Sequence, residues 1–204
     1  MKNIQFYFIE DQDYANEELK EYKQYLYEKG FIVNNLIIAK DIKNKDEALL
    51  KLIDCNLTET KGDNLLYVVC GGPLSMYLLN ELNYLSFDGM ITFECANLTC
   101  PNLKDFKHLT KHAKRNIDKE NWKSYFSVVP QSLNYIKNYF GAHYHLRKGN
   151  NILKLCQINK DKDIYKLTSF YIDKSRQDKK EINKTRINNI KDLDSLFENI
   201  NSIL

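Results

Sequence analysis

No stretch of this sequence approaches the roughly 20 consecutive apolar residues that a membrane-spanning helix needs. The opening Met1-Lys2-Asn3-Ile4 does not lead into the apolar core and small-residue cleavage site of a secretory leader. A cytoplasmic address with no membrane partner is therefore the expectation. Cysteine pairs at metal or redox spacing are also missing: Cys55, Cys70, Cys95, Cys100 and Cys156 are odd in number and share no CxxC. They read as reduced core thiols rather than a disulfide framework. Nor is there a large surplus of one charge, because 30 basic residues face 27 acidic ones for a net charge of +3. That balance does not make a nucleic-acid binder.

Several catalytic signatures are absent as well. Without a GxSxG elbow or a cysteine in an electropositive setting, acyl transfer is disfavoured. Without GxGxxG or GxxxxGK, neither a dinucleotide fingerprint nor a Walker loop is present. No internal repeat is found. What remains is a 204-residue chain, 43% hydrophobic and 28% charged. It is long enough to bury one full core and too short for a second large domain.

Hydrophobic periodicity gives that domain an α/β character. Ile4 to Ile9 is an apolar, aromatic run that ends in acids, as a buried strand does. From Asn16 to Lys29 apolar residues recur at helical spacing, with Asn16 as the N-cap and Gly30 as the stop. Strands are expected again over 32–39, 64–70 and 89–94, and helices over 45–55 and 73–84. This alternation predicts a mostly parallel, three-layer, Rossmann-like sandwich.

The order is looser beyond position 97, where 103–114 and 131–140 read as helices and 125–129 as a strand. Alternation in 142–147, 152–158 and 164–172, broken at 149–151 and 159–163, predicts a small antiparallel segment. A terminal helix over 192–203 would pack on it. The whole is read as a single domain, with a βα core over 1–140 and the antiparallel strands plus terminal helix over 141–204. The exposed edge of such strands invites self-association, so a homo-oligomer is expected. The basic run from Lys174 to Lys180 reads as a solvated loop.

Ligands of open parallel sheets bind outside the carboxyl ends of the strands, where strand order reverses. The polar groups to weigh are therefore Asp11, Asp13, Glu17 and Glu18 after the first strand, Gly71 and Gly72 after the third, and Glu94, Asn97 and Asn102 after the fourth. Four carboxylates so close in sequence repel one another, which suggests either a hard cation such as Ca2+ or Mg2+ or a solvated helix start favoured by the macrodipole. Gly71-Gly72-Pro73 is either a tight turn or a backbone approach for an anion. The pairs His108 with His112 and His143 with His145 each have spacing that suits two metal ligands, or simply exposed faces.

Asp11-Gln12-Asp13-Tyr14-Ala15-Asn16-Glu17-Glu18 has the spacing of the DxDxxxDD signature of the inosine-uridine nucleoside hydrolases, with Glu for the last two acids. Leu65 to Ser75, with Gly71-Gly72-Pro73-Leu74, resembles the TGPLTN turn of the same family. Over residues 4–100 the chain thus resembles that family, with Tyr14-Ala15 in place of its Pro-Gly turn.

The resemblance implies a nucleoside or nucleotide ligand and cleavage of an N-glycosidic bond with a carboxylate-held divalent ion. Asp11, Asp13 and Glu18 would hold the ion and Asp11 or Asp13 would act on the water. Gly71, Gly72, Glu94 and Asn97 would contact the substrate. Two other readings stay open: a non-catalytic α/β module that binds a ligand or a protein, and an Asp-x-Asp phosphatase, whose first Asp would attack phosphorus.

Overall fold

The computed structural model describes residues 4–11, 16–38, 65–72, 75, 87–94, 153–172 and 182–204. Its strands are β1 (Ile4–Asp11), β2 (Ile32–Ile38), β3 (Leu65–Gly71), β4 (Gly89–Phe93), β5 (Leu153–Asp161), β6 (Ile164–Ile172) and β7 (Ile182–Ile190). The helices are α1 (Glu17–Glu28) and α2 (Leu193–Ile203). The strands form one mixed sheet in the order β2-β1-β3-β4-β5-β6-β7. From β2 to β5 every neighbouring pair is parallel, while β5–β6 and β6–β7 are antiparallel.

The four parallel strands and the first helix thus follow the sequence expectation. The later strands form no separate sheet. β5 pairs in parallel with β4, Ile91 standing beside Cys156, and only then does the direction alternate. The break expected at 159–163 is shorter than the pattern suggested: the β5–β6 ladder continues to Asp161 and Ile164. The turn is left to Lys162 and Asp163, with Lys162 at φ 57°. β7 was not expected at all. The helices expected over 45–55, 103–114 and 131–140, that over 73–84 apart from Ser75, the strands over 125–129 and 142–147, the histidine pairs and the basic run at 174–180 lie outside the described residues.

Local chemistry sets the bounds of α1. The Asn16 side-chain oxygen accepts a hydrogen bond from the Leu19 N–H at 2.8 Å, and Glu17 and Glu18 sit in the first turn, where the helix dipole favours negative charge. At the other end Phe31 N donates to Leu26 O at 3.1 Å and Gly30 N to Tyr27 O at 3.0 Å. This is a Schellman closure, and Gly30 makes it possible at φ 80°, in the left-handed region. α2 starts similarly, with Asp192 accepting from Ser195 N at 3.2 Å.

Strand alternation divides the sheet residues between two faces. On the first face Phe6, Phe8, Tyr67, Val69, Ile91, Phe93, Cys156, Ile158 and Leu167 form one core with Leu19, Tyr22 and Leu26 of α1 and Leu196, Phe197 and Ile200 of α2. The second face carries Tyr7, Ile9, Leu66, Val68, Cys70, Met90, Leu155 and Phe170, and these are buried too. Strands covered on both faces read as continuous apolar runs, which is how β1 and β3 appear in the sequence. Among the described residues no helix is long and apolar enough to cross a membrane.

Tyr22 is the centre of the first face. Its ring meets Phe8 at 6.1 Å, Phe93 at 5.7 Å and Phe197 at 5.1 Å between centroids. Its hydroxyl donates to Asn201 Oδ1 at 2.7 Å. Truncation of Phe197 to Ala should therefore lower stability by about 3–5 kcal/mol, the usual cost of deleting a buried aromatic ring. Urea unfolding should show a lower midpoint at unchanged slope. Gly89→Ala should also destabilise, by about 1–3 kcal/mol, because a Cβ there would lie 2.5 Å from the Tyr67 ring and 2.9 Å from Lys154 O.

Candidate functional site

The strand order reverses between β1 and β3. The chain leaves β1 for β2 on one side and returns to β3 on the other, so the carboxyl ends of these two strands flank the switch point of an open α/β sheet. Asp11 ends β1, and of it only the backbone is described. Gly71 ends β3 beside Phe93 of β4, and Gly72 follows at φ 54°. Glu94, just beyond β4, is also left-handed at φ 50°, an uncommon state for a residue with a side chain, and its N–H donates to Ile158 O at 2.7 Å. Gly71, Gly72 and Glu94 therefore meet at one corner of the sheet. Asp13 and Asn97 lie outside the described residues.

Next to this corner, on the second face, the sheet carries polar groups in an otherwise apolar layer. Register places Cys70, Thr92, Gln157 and Thr168 side by side across β3 to β6. Cys70, Thr92 and Gln157 are fully buried or nearly so, as is Ser75, whose hydroxyl is 3.3 Å from the Cys70 sulfur. Thr92 Oγ1 and, two residues beyond Gln157, Asn159 Oδ1 are buried with no hydrogen-bond partner among the described residues. A buried polar oxygen left unpaired costs about 1–3 kcal/mol, so such groups call for an explanation.

The sequence pattern did not single out Ser75, Thr92, Gln157 or Asn159. Each lies within or just after a run whose apolar residues dominate the pattern. The available signal was a hydroxyl or amide at an inward position of a strand buried on both faces.

Glu18 belongs to another environment. Its carboxylate accepts from Lys160 Nζ at 2.8 Å and from the Tyr165 hydroxyl at 3.1 Å, on the first face, where α1 packs. Burial pushes the Glu18 carboxyl up. The hydrogen bonds from Lys160, from its own backbone N–H and from Tyr165, with the charge of Lys160, outweigh that and hold it below the ordinary carboxylate value. The hydrogen bond to Glu18 in turn raises the Lys160 ammonium. Glu10, near the end of β1, is likewise paired with Lys23 of α1. Glu17 is exposed and bonded to Lys20 at 3.5 Å.

Among the described acids near the end of β1, each carboxylate thus has its own environment. Glu10, Glu17 and Glu18 each have a lysine partner. Among the described residues no three His, Cys, Asp or Glu side chains come together as a metal site. Burial also pushes the Cys156 thiol up to about 12, against the charge of Lys154, so it is protonated at neutral pH and is no nucleophile.

Comparison with family models, with curated proteins and with solved structures finds no match for the chain. The arrangement of the residues is what bears on function.

The Glu18–Lys160 pair has a defined pH window. The folded pKa of Glu18 lies below its ordinary value of 4.5. Its contribution to stability is thus fully present above that value and disappears as pH falls through the folded pKa. Lys160→Met should destabilise the protein at pH 7. The gap between the two unfolding curves should shrink steadily below pH 4.5. Denaturant titration at several acidic pH values measures it.

Proposed function

We propose that the protein binds a nucleoside or nucleotide in the crevice outside the carboxyl ends of β1, β3 and β4. The observation that carries this reading is the strand order, whose reversal lies between β1 and β3 and next to the buried polar row. Gly71 and Gly72, both buried, put no side chain between the backbone and the end of β3, where a sugar or phosphate would lie. Thr92 Oγ1 and Asn159 Oδ1 supply hydrogen-bonding capacity that no other described residue takes up. Asn97 would add a sugar contact, and Glu94 a carboxylate at the rim.

The reading takes the molecule as a three-layer sandwich. α1 and α2 cover the first face, and the helices expected over 45–55 and 73–84 would cover the second. It also takes the protein as cytoplasmic, with Cys70 and Cys156 as reduced, buried thiols. The edges at β2 and β7 are the places where a second copy would add.

The resemblance to nucleoside hydrolases adds a divalent ion, Ca2+ or Mg2+. Glu18 does not fit that ion, because its charge is already matched by Lys160. The ion would rest on Asp11 and Asp13. Along β1, position 11 falls in the same alternation as Tyr7 and Ile9, the set that shares the face of Thr92 and Gln157. Hydrolysis of the N-glycosidic bond, with Asp11 or Asp13 acting on water, is the activity this implies. The engagement of Glu18 favours a second reading, in which the same crevice binds its ligand without cleaving it.

Calorimetric titration with adenosine, inosine and uridine, with and without Ca2+ or Mg2+, tests the binding. A saturable heat is expected. At a hundredfold excess over Kd the ligand should stabilise the fold by about 2.7 kcal/mol. Thr92→Val should weaken binding several-fold by removing one hydrogen bond worth about 0.5–1.5 kcal/mol, yet stabilise the free protein by relieving an unpaired oxygen. Release of free base that Asp13→Asn abolishes would establish the hydrolase. Binding without release would establish the module. No heat with any nucleoside would end both.

A further inference from the structure

The two edges of the sheet are unlike. β7 includes Lys184 and Arg186, and its register with β6 shifts between Tyr171 and Ile172. Charge and a bulge both keep an edge from pairing with another chain. β2 has neither. Its 7 residues, Ile-Val-Asn-Asn-Leu-Ile-Ile, hold five Ile, Leu or Val and no charged residue, Pro or Gly. It runs beside β1 from the Gln5–Ile32 pair to the Asp11–Ile38 pair without a break in register. Among the described residues it pairs on that side alone, and Ile32 is 47% exposed.

The residue order of β2 determines what fits this edge. In a two-fold interface residue i of one copy meets residue j of the other, and j meets i. For two antiparallel copies of one strand, the axis then passes beside a residue that meets itself. With Asn35 at the axis all 7 residues pair: Ile32 stands opposite Ile38, Val33 opposite Ile37 and Asn34 opposite Leu36. The strand is close to a palindrome about that point, with Ile at both ends and a β-branched residue next to each. Self-complementarity of this kind is what a second copy requires. Asn35 is exposed and stands beside Phe8 in the register with β1. Its amide both donates and accepts, so two copies of it suit each other at the axis.

We propose that β2 is the dimerisation edge of this protein, to which a second copy of the chain adds in antiparallel register about Asn35. The two sheets would then continue as one, with their first faces on the same side. The pairing is independent of the nucleoside reading, and neither needs the other.

Sedimentation equilibrium of the full chain tests it. A reversible, concentration-dependent rise to twice the mass of one chain is expected, and a single-chain mass at the highest soluble concentration overturns the proposal. Asn35→Lys, which sets two like charges opposite each other, should weaken the association by about tenfold or more. Asn189→Lys, at an exposed position of β7, should leave it unchanged. Crosslinking checks the register. Directly opposed Cα atoms of an antiparallel pair are about 4.5 or 5.5 Å apart, within the span of about 4.4–6.8 Å that a disulfide needs. Mild oxidation of Asn35→Cys should therefore give more covalent dimer than the unsubstituted chain. Asn34→Cys, whose two copies would stand about 8 Å apart, should not. A dimer that Asn35→Lys leaves intact, that Asn189→Lys weakens equally, or in which Asn35→Cys fails to crosslink overturns the assignment to β2.

Discussion

The packing of Tyr22 holds the two ends of the chain together. The ring is fully buried among Phe6, Phe8, Tyr25, Phe93 and Phe197, contributed by β1, α1, β4 and α2. Its hydroxyl would be costly at that depth without a partner, and Asn201 of α2 supplies one. Burial pushes that phenol well above its ordinary range, so it is a neutral donor at neutral pH. The side chain fixes how α1 and α2 lie on the sheet, and the position of the sheet's two ends follows. The polar row of Cys70, Thr92 and Gln157 lies on the other face of the same sheet.

The elements that could be read from the sequence are those whose own burial writes the pattern. β1 and β3 are covered on both faces and appear as unbroken apolar runs. α1 appears through Leu19, Tyr22 and Leu26 and through its caps. β7 could not be read because Ile182–Ile190 is rich in Asn, Lys, Thr and Arg and pairs on one side alone, with β6, among the described residues. Edge strands carry such residues as protection against unwanted pairing. That β5 joins β4 is a pairing between residues distant in sequence, and nothing local encodes it.

The candidate site divides along similar lines. Gly71, Gly72 and Glu94 were legible because turn chemistry is local. Glu18 was legible only as an acid near other acids. Its actual partner, Lys160, is 142 positions away, so its pairing is a tertiary fact. Thr92 and Gln157 gain meaning from register alone, since four strands must align before Cys70, Thr92, Gln157 and Thr168 stand in one row.

The mixed sheet has a further consequence for how the chain reaches this state. Its first-face core needs Phe197, but Tyr22 is synthesised long before. At about 5–20 residues per second, the interval between positions 22 and 197 is roughly 10–35 s. Over that time β1 and α1 present an aromatic face with its final cover absent. Pairings such as β4 with β5 add long loops whose closure slows folding further. Productive folding on the ribosome is thus a contest between release of the last helix and association of the exposed Tyr22 surface with other chains, and chaperone occupancy during synthesis would decide the yield.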